Sequence, residues 1–487
     1  MNVNTMKWLG GGFAFMILVS TFLIANDEWQ PVVAWWTATA LLLPTVLLAL
    51  RSPFLTFRVV CFTAFFTQFA TVPGFFLVVG YSEMSQAEWL NFSINDVLPI
   101  DIKLAAFLLL LALIFKAASH IQILPNRSTV VSNGPSSSKE SVSVGASKRA
   151  GMYTMLIAVL IIGIAPVNIW MFQNGISIVG VEPPALPYRL SGILHYLTRY
   201  IVPLTLGYLF YKTRHGLLPT LLLLAYGLLI GLTSISRSAL VLILLPVLAL
   251  AWTEKRRVVM FVASAGLLLG YALISRARDF VYFVSNGTSG AITGDGIFEV
   301  IGQLLEDSWI WEFRFLLDTF TAILNRIEGF ENLVRSSLYD PNAIEGGALG
   351  FILRIVWRPL AEIDLDSHHI EWQGNILPEG FVNGGALLSN MLIASNANLL
   401  WIGAAAMVSG VILISLESSV HIVARKYRLS VGIKSFLLIL MSIIFFIEGG
   451  GSVTFVLPLI ALLALSWLPQ LSMRPPTSNR GRNIATG

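Results

Sequence analysis

Charge is scarce in this chain. Asp, Glu, Lys and Arg make up 12% of its 487 residues, against about a quarter in an ordinary soluble domain. Cysteine is almost absent: the lone Cys61 excludes an intramolecular disulfide and a cysteine-built metal cage. No glycine-rich nucleotide loop, no dinucleotide fingerprint after a strand and no serine elbow is present, so chemistry driven by a cytoplasmic nucleotide has no motif to rest on. What fills the chain instead is apolar: hydrophobic residues reach 56%, and the mean hydropathy is +0.76. They fall in long charge-poor runs, each able to cross a hydrocarbon core about 30 Å thick. A soluble enzyme, a nucleic-acid binder and a secreted disulfide scaffold are excluded. The composition is that of a polytopic membrane protein.

Twelve runs read as spans, near residues 7–25, 31–50, 58–80, 101–118, 152–172, 197–212, 216–235, 238–253, 258–275, 398–417, 432–447 and 451–468. The first has one charge before it and no small-residue cleavage site after it, so it reads as a retained span rather than a signal peptide. Three runs, 197–212, 238–253 and 432–447, are short enough to be re-entrant or to extend into their flanks. With both termini inside, the inner segments hold 20 of the 31 basic residues and three acids, Glu140, Glu254 and Glu417. Every inner loop is then basic, as retention of Lys and Arg on the cytoplasmic side requires. The expected fold is an all-α integral membrane protein of about 12 transmembrane helices.

The expected organisation is spans 1–4 over 1–118, an inner linker over 119–150, spans 5–9 over 151–275, an outer segment over 276–397, spans 10–12 over 398–472 and an inner tail over 473–487. The linker is rich in Ser and lacks aromatics, so it cannot bury a core. The outer segment, between spans 9 and 10, differs. It carries Phe280, Trp309, Trp311, Trp357 and Trp372, with apolar positions at helical spacing. Amphipathic helices are predicted near 296–327 and 347–358, the second ending at Pro359. This reads as a large helical periplasmic cap lying on the outer membrane face.

The cap has seven arginines and no lysine: Arg276, Arg278, Arg314, Arg326, Arg335, Arg354 and Arg358. A guanidinium offers a planar fork that matches phosphate oxygens two at a time, whereas an ammonium is a point charge. The set therefore suggests a phosphate or pyrophosphate site near the lipid headgroups; pairing with the loop's own acids, or snorkelling to lipid, competes for each arginine alone. Arg237 is the sharpest single residue. It sits in Ser234-Ile235-Ser236-Arg237-Ser238-Ala239-Leu240, in an outer turn of almost no length between two apolar spans. A cation there must be paired or solvated, so a ligand-facing role stands against interfacial snorkelling. Arg276 and Arg278 mark the exit of the next outward span, within reach of Arg237. Arg354 and Arg358, four apart, share a helix face and would repel unless an anion lay between them.

Beyond that predicted helix lie His368 and His369, with Glu362, Asp364, Asp366 and Glu371 around them. A histidine near neutral pKa beside a carboxylate such as Asp366 can take a proton from a sugar hydroxyl; a solvated acidic loop is the plainer reading. No histidine spacing of a metal motif appears, so no metal is expected. Glu379 and Asn383, among glycines at 380, 384 and 385, are polar groups at the outer boundary. Glu448, in another short outer turn, is an acid suited to bridging one of the arginines.

With these residues in view, the chain resembles the bacterial O-antigen and related polysaccharide repeat-unit polymerases. The likeness lies in the small-Ser-Arg-small turn at 234–240, the Arg-rich late outer loop, the Glu-x-x-x-Asn-x-Gly pattern formed by Glu379, Asn383 and Gly385, and the plan of about a dozen spans with both ends inside. It covers roughly 200–420 better than the first half. The resemblance implies a repeat-unit oligosaccharide on undecaprenyl pyrophosphate as substrate, used at the periplasmic face of the bacterial inner membrane without metal or other cofactor. It implies pyrophosphate held by Arg237, Arg276 and Arg278, with Arg354 and Arg358 as a second clamp, and a base drawn from His368, His369 or Glu379. A flippase and a chain-length regulator of the same pathway are the implied partners, with no nucleic acid involved. His368 and His369 match no defined family motif.

Two rivals remain. The O-antigen ligases share this plan and donor and differ in the acceptor. A transporter or flippase of lipid-linked oligosaccharide fits the span count, but such folds carry internal repeats and a central loop between spans six and seven. Here that loop is short, at 213–215, and no half repeats the other.

Overall fold

The computed structural model describes residues 29–62, 64–65, 94–121, 144–174, 176, 187, 190–213, 216–287, 340–343, 346–356, 387–426, 434 and 437–438. Among them there is no strand. Four helical stretches are long and apolar enough to cross a membrane: Leu98–His120, Ala150–Gln173, Arg257–Ala277 and Leu400–Lys426. The molecule is thus an all-α membrane protein.

The helices are α1 (Trp29–Arg51), α2 (Leu55–Phe62), α3 (Ile94–His120), α4 (Val144–Gln173), α5 (Leu190–Tyr196), α6 (Val202–Lys212), α7 (Leu217–Thr233), α8 (Arg237–Thr253), α9 (Arg257–Gly287), α10 (Gly347–Val356), α11 (Leu387–Ala397) and α12 (Leu400–Lys426). A π turn, Leu197–Ile201, joins α5 to α6, so the short run predicted at 197–212 extends into its flank as one helical path from 190. The helix α4 begins at Val144, ahead of its membrane-length stretch Ala150–Gln173, and α9 continues beyond its own stretch Arg257–Ala277 to Gly287. The spans predicted at 7–25 and 451–468, most of those at 58–80 and 432–447, and the helix near 296–327 lie outside the described residues.

One core joins α1, α2, α3, α10, α11 and α12. Leu42, Phe54, Phe57, Leu104, Phe107, Leu392 and Leu413 are all within it. At one end Phe115 stacks on Phe57 at 4.7 Å and meets Phe54 edge-on at 5.0 Å. Beside them Glu417 of α12, 1% exposed, accepts hydrogen bonds from the amides of Leu55 (2.8 Å) and Thr56 (2.9 Å) and from the Thr56 hydroxyl. A carboxylate there satisfies amide donors of the first turn of α2 and complements the positive end of its dipole. His421, one turn on, places Nε2 3.5 Å from the same carboxylate. Toward the other end of α3, Lys103 donates to Asn396 Oδ1 at 2.7 Å.

The helices α10 and α11, from the expected outer segment, pack into this core. Ala348, Phe351 and Ile352 of α10, and Leu388, Met391, Leu392, Ile393 and Ala394 of α11, share this core with the spanning helices. The predicted amphipathic face of α10 is real; what it covers is the bundle. Within α11 the Ser395 hydroxyl donates to the Leu392 carbonyl at 2.7 Å.

A second core joins α4, α6, α7, α8 and α9 around Phe210, Leu223, Tyr226, Ile243 and Val247. Within it the Asn168 amide donates to the Tyr226 hydroxyl at 3.2 Å. The helix α8 touches both cores, since Leu242 belongs to the first. Close approach here depends on missing side chains. A Cβ at Gly227 or Gly231 of α7 would meet Leu240 at 2.9 Å or Ile274 at 2.3 Å; at Gly266 or Gly270 of α9 it would meet Leu224 at 2.6 Å or Leu228 at 2.7 Å. Each helix thus carries a small-xxx-small pair, the device that lets helix backbones approach in a lipid setting.

Two matching connections fold α7, α8 and α9 back on one another. In the first, Ser236 N–H bonds the Gly231 carbonyl (2.9 Å) and Ile235 N–H bonds that of Leu232 (3.2 Å). In the second, Arg256 N–H bonds the Ala251 carbonyl (2.8 Å) and Lys255 N–H that of Trp252 (3.2 Å). Both are Schellman caps, with Ile235 (φ 51°) and Lys255 (φ 56°) in the left-handed position that glycine usually takes.

Candidate anion site

The first of these connections carries Arg237. Ser236 has extended backbone and precedes the first helical residue, Arg237, so the guanidinium springs from the opening turn of α8. No acidic residue lies in that turn. The positive end of the helix dipole, equivalent to about half a positive charge, adds to the arginine's own charge. Helix start and side chain therefore favour the same ligand, an anion.

The neighbouring helix α9 shapes the arginine. The Ser275 hydroxyl donates to the Tyr271 carbonyl one turn back, at 2.7 Å. That commits its proton and leaves its oxygen to accept from Arg237 Nη1 at 3.3 Å. Arg237 Cζ lies 5.3 Å from the centre of the Tyr271 ring, a cation–π contact. Tyr271 is 5% exposed, and its hydroxyl oxygen has no hydrogen-bond partner. A buried hydroxyl in that state costs about 1–3 kcal/mol, which is how a ligand-directed group is expected to look. On the turn itself the Ser236 and Ser238 hydroxyls are 2.9 Å apart.

Ser275, at the exit of the ninth expected span, is the residue that contacts Arg237; Arg276 follows it in sequence and is half-buried. Arg278 is two residues further along α9. Arg354 lies on α10, a helix of the first core, whereas Arg237 and Arg276 belong to helices of the second. Arg314, Arg358, Asp366, His368, His369, Glu379, Asn383 and Glu448 lie outside the described residues. Among the described residues no three His, Cys, Asp or Glu side chains converge as metal ligands.

One basic residue not singled out in the sequence belongs in this account. Arg199 sits within the π turn, half-buried, with its Nε and Nη2 sealed from solvent. A signal for it exists: Pro203, four residues on, has no N–H to give the Arg199 carbonyl, so a regular α-helix cannot run through this point unbroken.

No protein-family model, no curated protein and no solved structure matches the chain. The reading of the site rests on its own residues.

Proposed function

We propose that this protein is a membrane glycosyltransferase that polymerises lipid-linked oligosaccharide repeat units at the periplasmic face of the bacterial inner membrane. In this reading the chain crosses the membrane about twelve times, with both termini in the cytoplasm. The observation that carries it is the Arg237 turn: a guanidinium at an acid-free helix start, set by Ser275 and Tyr271. Such a site stabilises charge that develops on a departing pyrophosphate more than charge already spread over the bound donor, which is the condition for catalysis.

The reaction balances without an external reagent. A sugar hydroxyl of the incoming unit attacks the anomeric carbon of the growing chain, forming a glycosidic bond. The bond from that carbon to the pyrophosphate oxygen breaks, and undecaprenyl pyrophosphate leaves with the electron pair. The hydroxyl proton passes to a base, for which His368, His369, Glu379 and Asp366 are the candidates. Arg237, Arg276 and Arg278 hold the leaving group; Arg314, Arg354 and Arg358 serve the cap side of the donor, and Asn383 and Glu448 line the boundary.

The test is a gel of surface polysaccharide from a strain lacking the gene, complemented with wild type, Arg237→Ala or Arg237→Lys at equal protein level. Single repeats on lipid or core, lengthened by wild type and not by Arg237→Ala, are the expected result. Arg237→Lys is expected to restore only a minor part, because it keeps the charge and loses the fork. Long chains retained on the lipid carrier would mark a ligase, and unchanged polysaccharide would move transport to the front.

A further inference from the structure

Topology places the π turn beside the anion site. The helices α7 and α8 form a hairpin through residues 234–236, so the start of α7 and the end of α8 lie at the opposite end from Arg237. The short connection from Lys212 to Leu217 brings the last residue of α6 to that opposite end. The helix α6 packs along α8, so the π turn at its start points back toward Arg237, and the π turn itself packs on α8. The π turn packs on α8 and α8 packs on α9, so the elements that bear Arg199, Arg237 and Arg276 meet through α8 at one end of one core.

The π turn has a cause and an effect. Thr198 is 1% exposed, and its hydroxyl donates to the Leu194 carbonyl at 2.9 Å, a bond that loosens the local helix. Pro203 then denies the Arg199 carbonyl its α-helical donor, and the wider pattern offers residue 204 in its place. A π turn inserts one residue into the helix and so turns the preceding segment by about 100° relative to a regular run. It thereby sets which direction Arg199 takes.

We propose that Arg199 is a positioning and binding residue of the anion site, the third guanidinium around a phosphate or pyrophosphate group, brought there by the π turn. The Tyr271 hydroxyl, buried and without a hydrogen-bond partner, is the neutral donor of the same site. This rests on the reading of the Arg237 turn as a pyrophosphate site and adds to it a residue from a different span. The shared chemistry is a tetrahedral oxyanion, free or at the head of a lipid.

The test uses the full chain in nanodiscs, with inorganic pyrophosphate and farnesyl pyrophosphate as separate probes. Affinity is measured for wild type, Arg199→Gln, Arg199→Lys, Arg237→Gln and, as a remote control, Arg257→Gln. Arg199→Gln is expected to weaken pyrophosphate binding at least tenfold with an unchanged Tm in the absence of probe, and Arg199→Lys to restore part of it. Much tighter binding of the farnesyl ester would identify the lipid-borne anion as the ligand; equal binding would identify the free one. Wild-type affinity in Arg199→Gln, with loss in Arg237→Gln, overturns this inference and leaves the pyrophosphate reading standing. Binding of neither probe by the wild type overturns both. If Arg199→Gln does not fold, Arg199→Lys decides: a severalfold loss in a folded protein supports the role, and wild-type affinity refutes it.

Discussion

At Tyr271 a ring and a hydroxyl do separate things, and they can be separated by experiment. The ring lies against Arg237, while the hydroxyl is buried without a hydrogen bond. Tyr271→Phe is expected to leave the unliganded protein as stable or more stable by about 1 kcal/mol, yet to shorten the polysaccharide made in the complemented strain. Tyr271→Leu is expected to lose stability as well, through packing and the cation–π contact. Normal chain length in Tyr271→Phe would remove the hydroxyl from the site. The two left-handed residues offer a second contrast. Relief of that conformation is worth about 1–2 kcal/mol, but Ile235 is 2% exposed and Lys255 is exposed. Burying an Ile side chain is worth about 1.5–3 kcal/mol before any cavity is counted. Urea or SDS titration should therefore show Lys255→Gly stabilised by about 0.5–1 kcal/mol and Ile235→Gly destabilised. The same backbone geometry gives opposite signs because one side chain packs and the other does not.

At the scale of the element, the close approach of α7, α8 and α9 sets Ser275 and Tyr271 against Arg237. Gly231→Ala would press its new methyl against Ile274, the residue before Ser275. Overpacking of this kind costs about 1–3 kcal/mol. Gly231→Ala should lower stability and activity together, and Ile274→Val should recover part of both in a double-mutant cycle. Gly163→Ala on α4, where nothing lies within 4 Å, should be neutral or stabilising by up to about 1 kcal/mol. Equal effects of the two substitutions would refute the packing argument. The turn at 234–236 and the arginine that follows it were legible because a cation between two apolar runs has few explanations. The π turn was not, since a lone arginine near a span end reads as interfacial; only Thr198 and Pro203 around it hint otherwise. The amphipathic character of α10 was legible too, but a hydrophobic stripe does not say whether lipid or another helix will cover it. Asn390 and Ser395, within the expected outer segment, are buried in α11.

At the scale of the whole molecule, Glu417 and the start of α2 are hydrogen-bond partners from distant parts of the chain. In the sequence Glu417 is merely one of three inner-side acids; in the structure it caps a helix more than 360 residues away. Glu417→Ala removes the acceptor of two amides and one hydroxyl. Hydrogen bonds to charged groups are worth about 1.5–3 kcal/mol, so hydrogen exchange at residues 55–58 should accelerate by tenfold or more, with α7–α9 unaffected. Uniform acceleration across both cores would mean instead that they unfold as one unit.

That long separation also sets a schedule. A ribosome adding roughly 5–20 residues per second takes on the order of 20–70 s to travel from Thr56 to Glu417, a separation of 361 residues. For that interval the amides of α2 have no carboxylate to receive them, and water or the insertion machinery must take its place. The first core closes only after the second has been made. An arrest of synthesis between residues 287 and 400 should therefore leave α7, α8 and α9 assembled while α1, α2 and α3 still await their last partner.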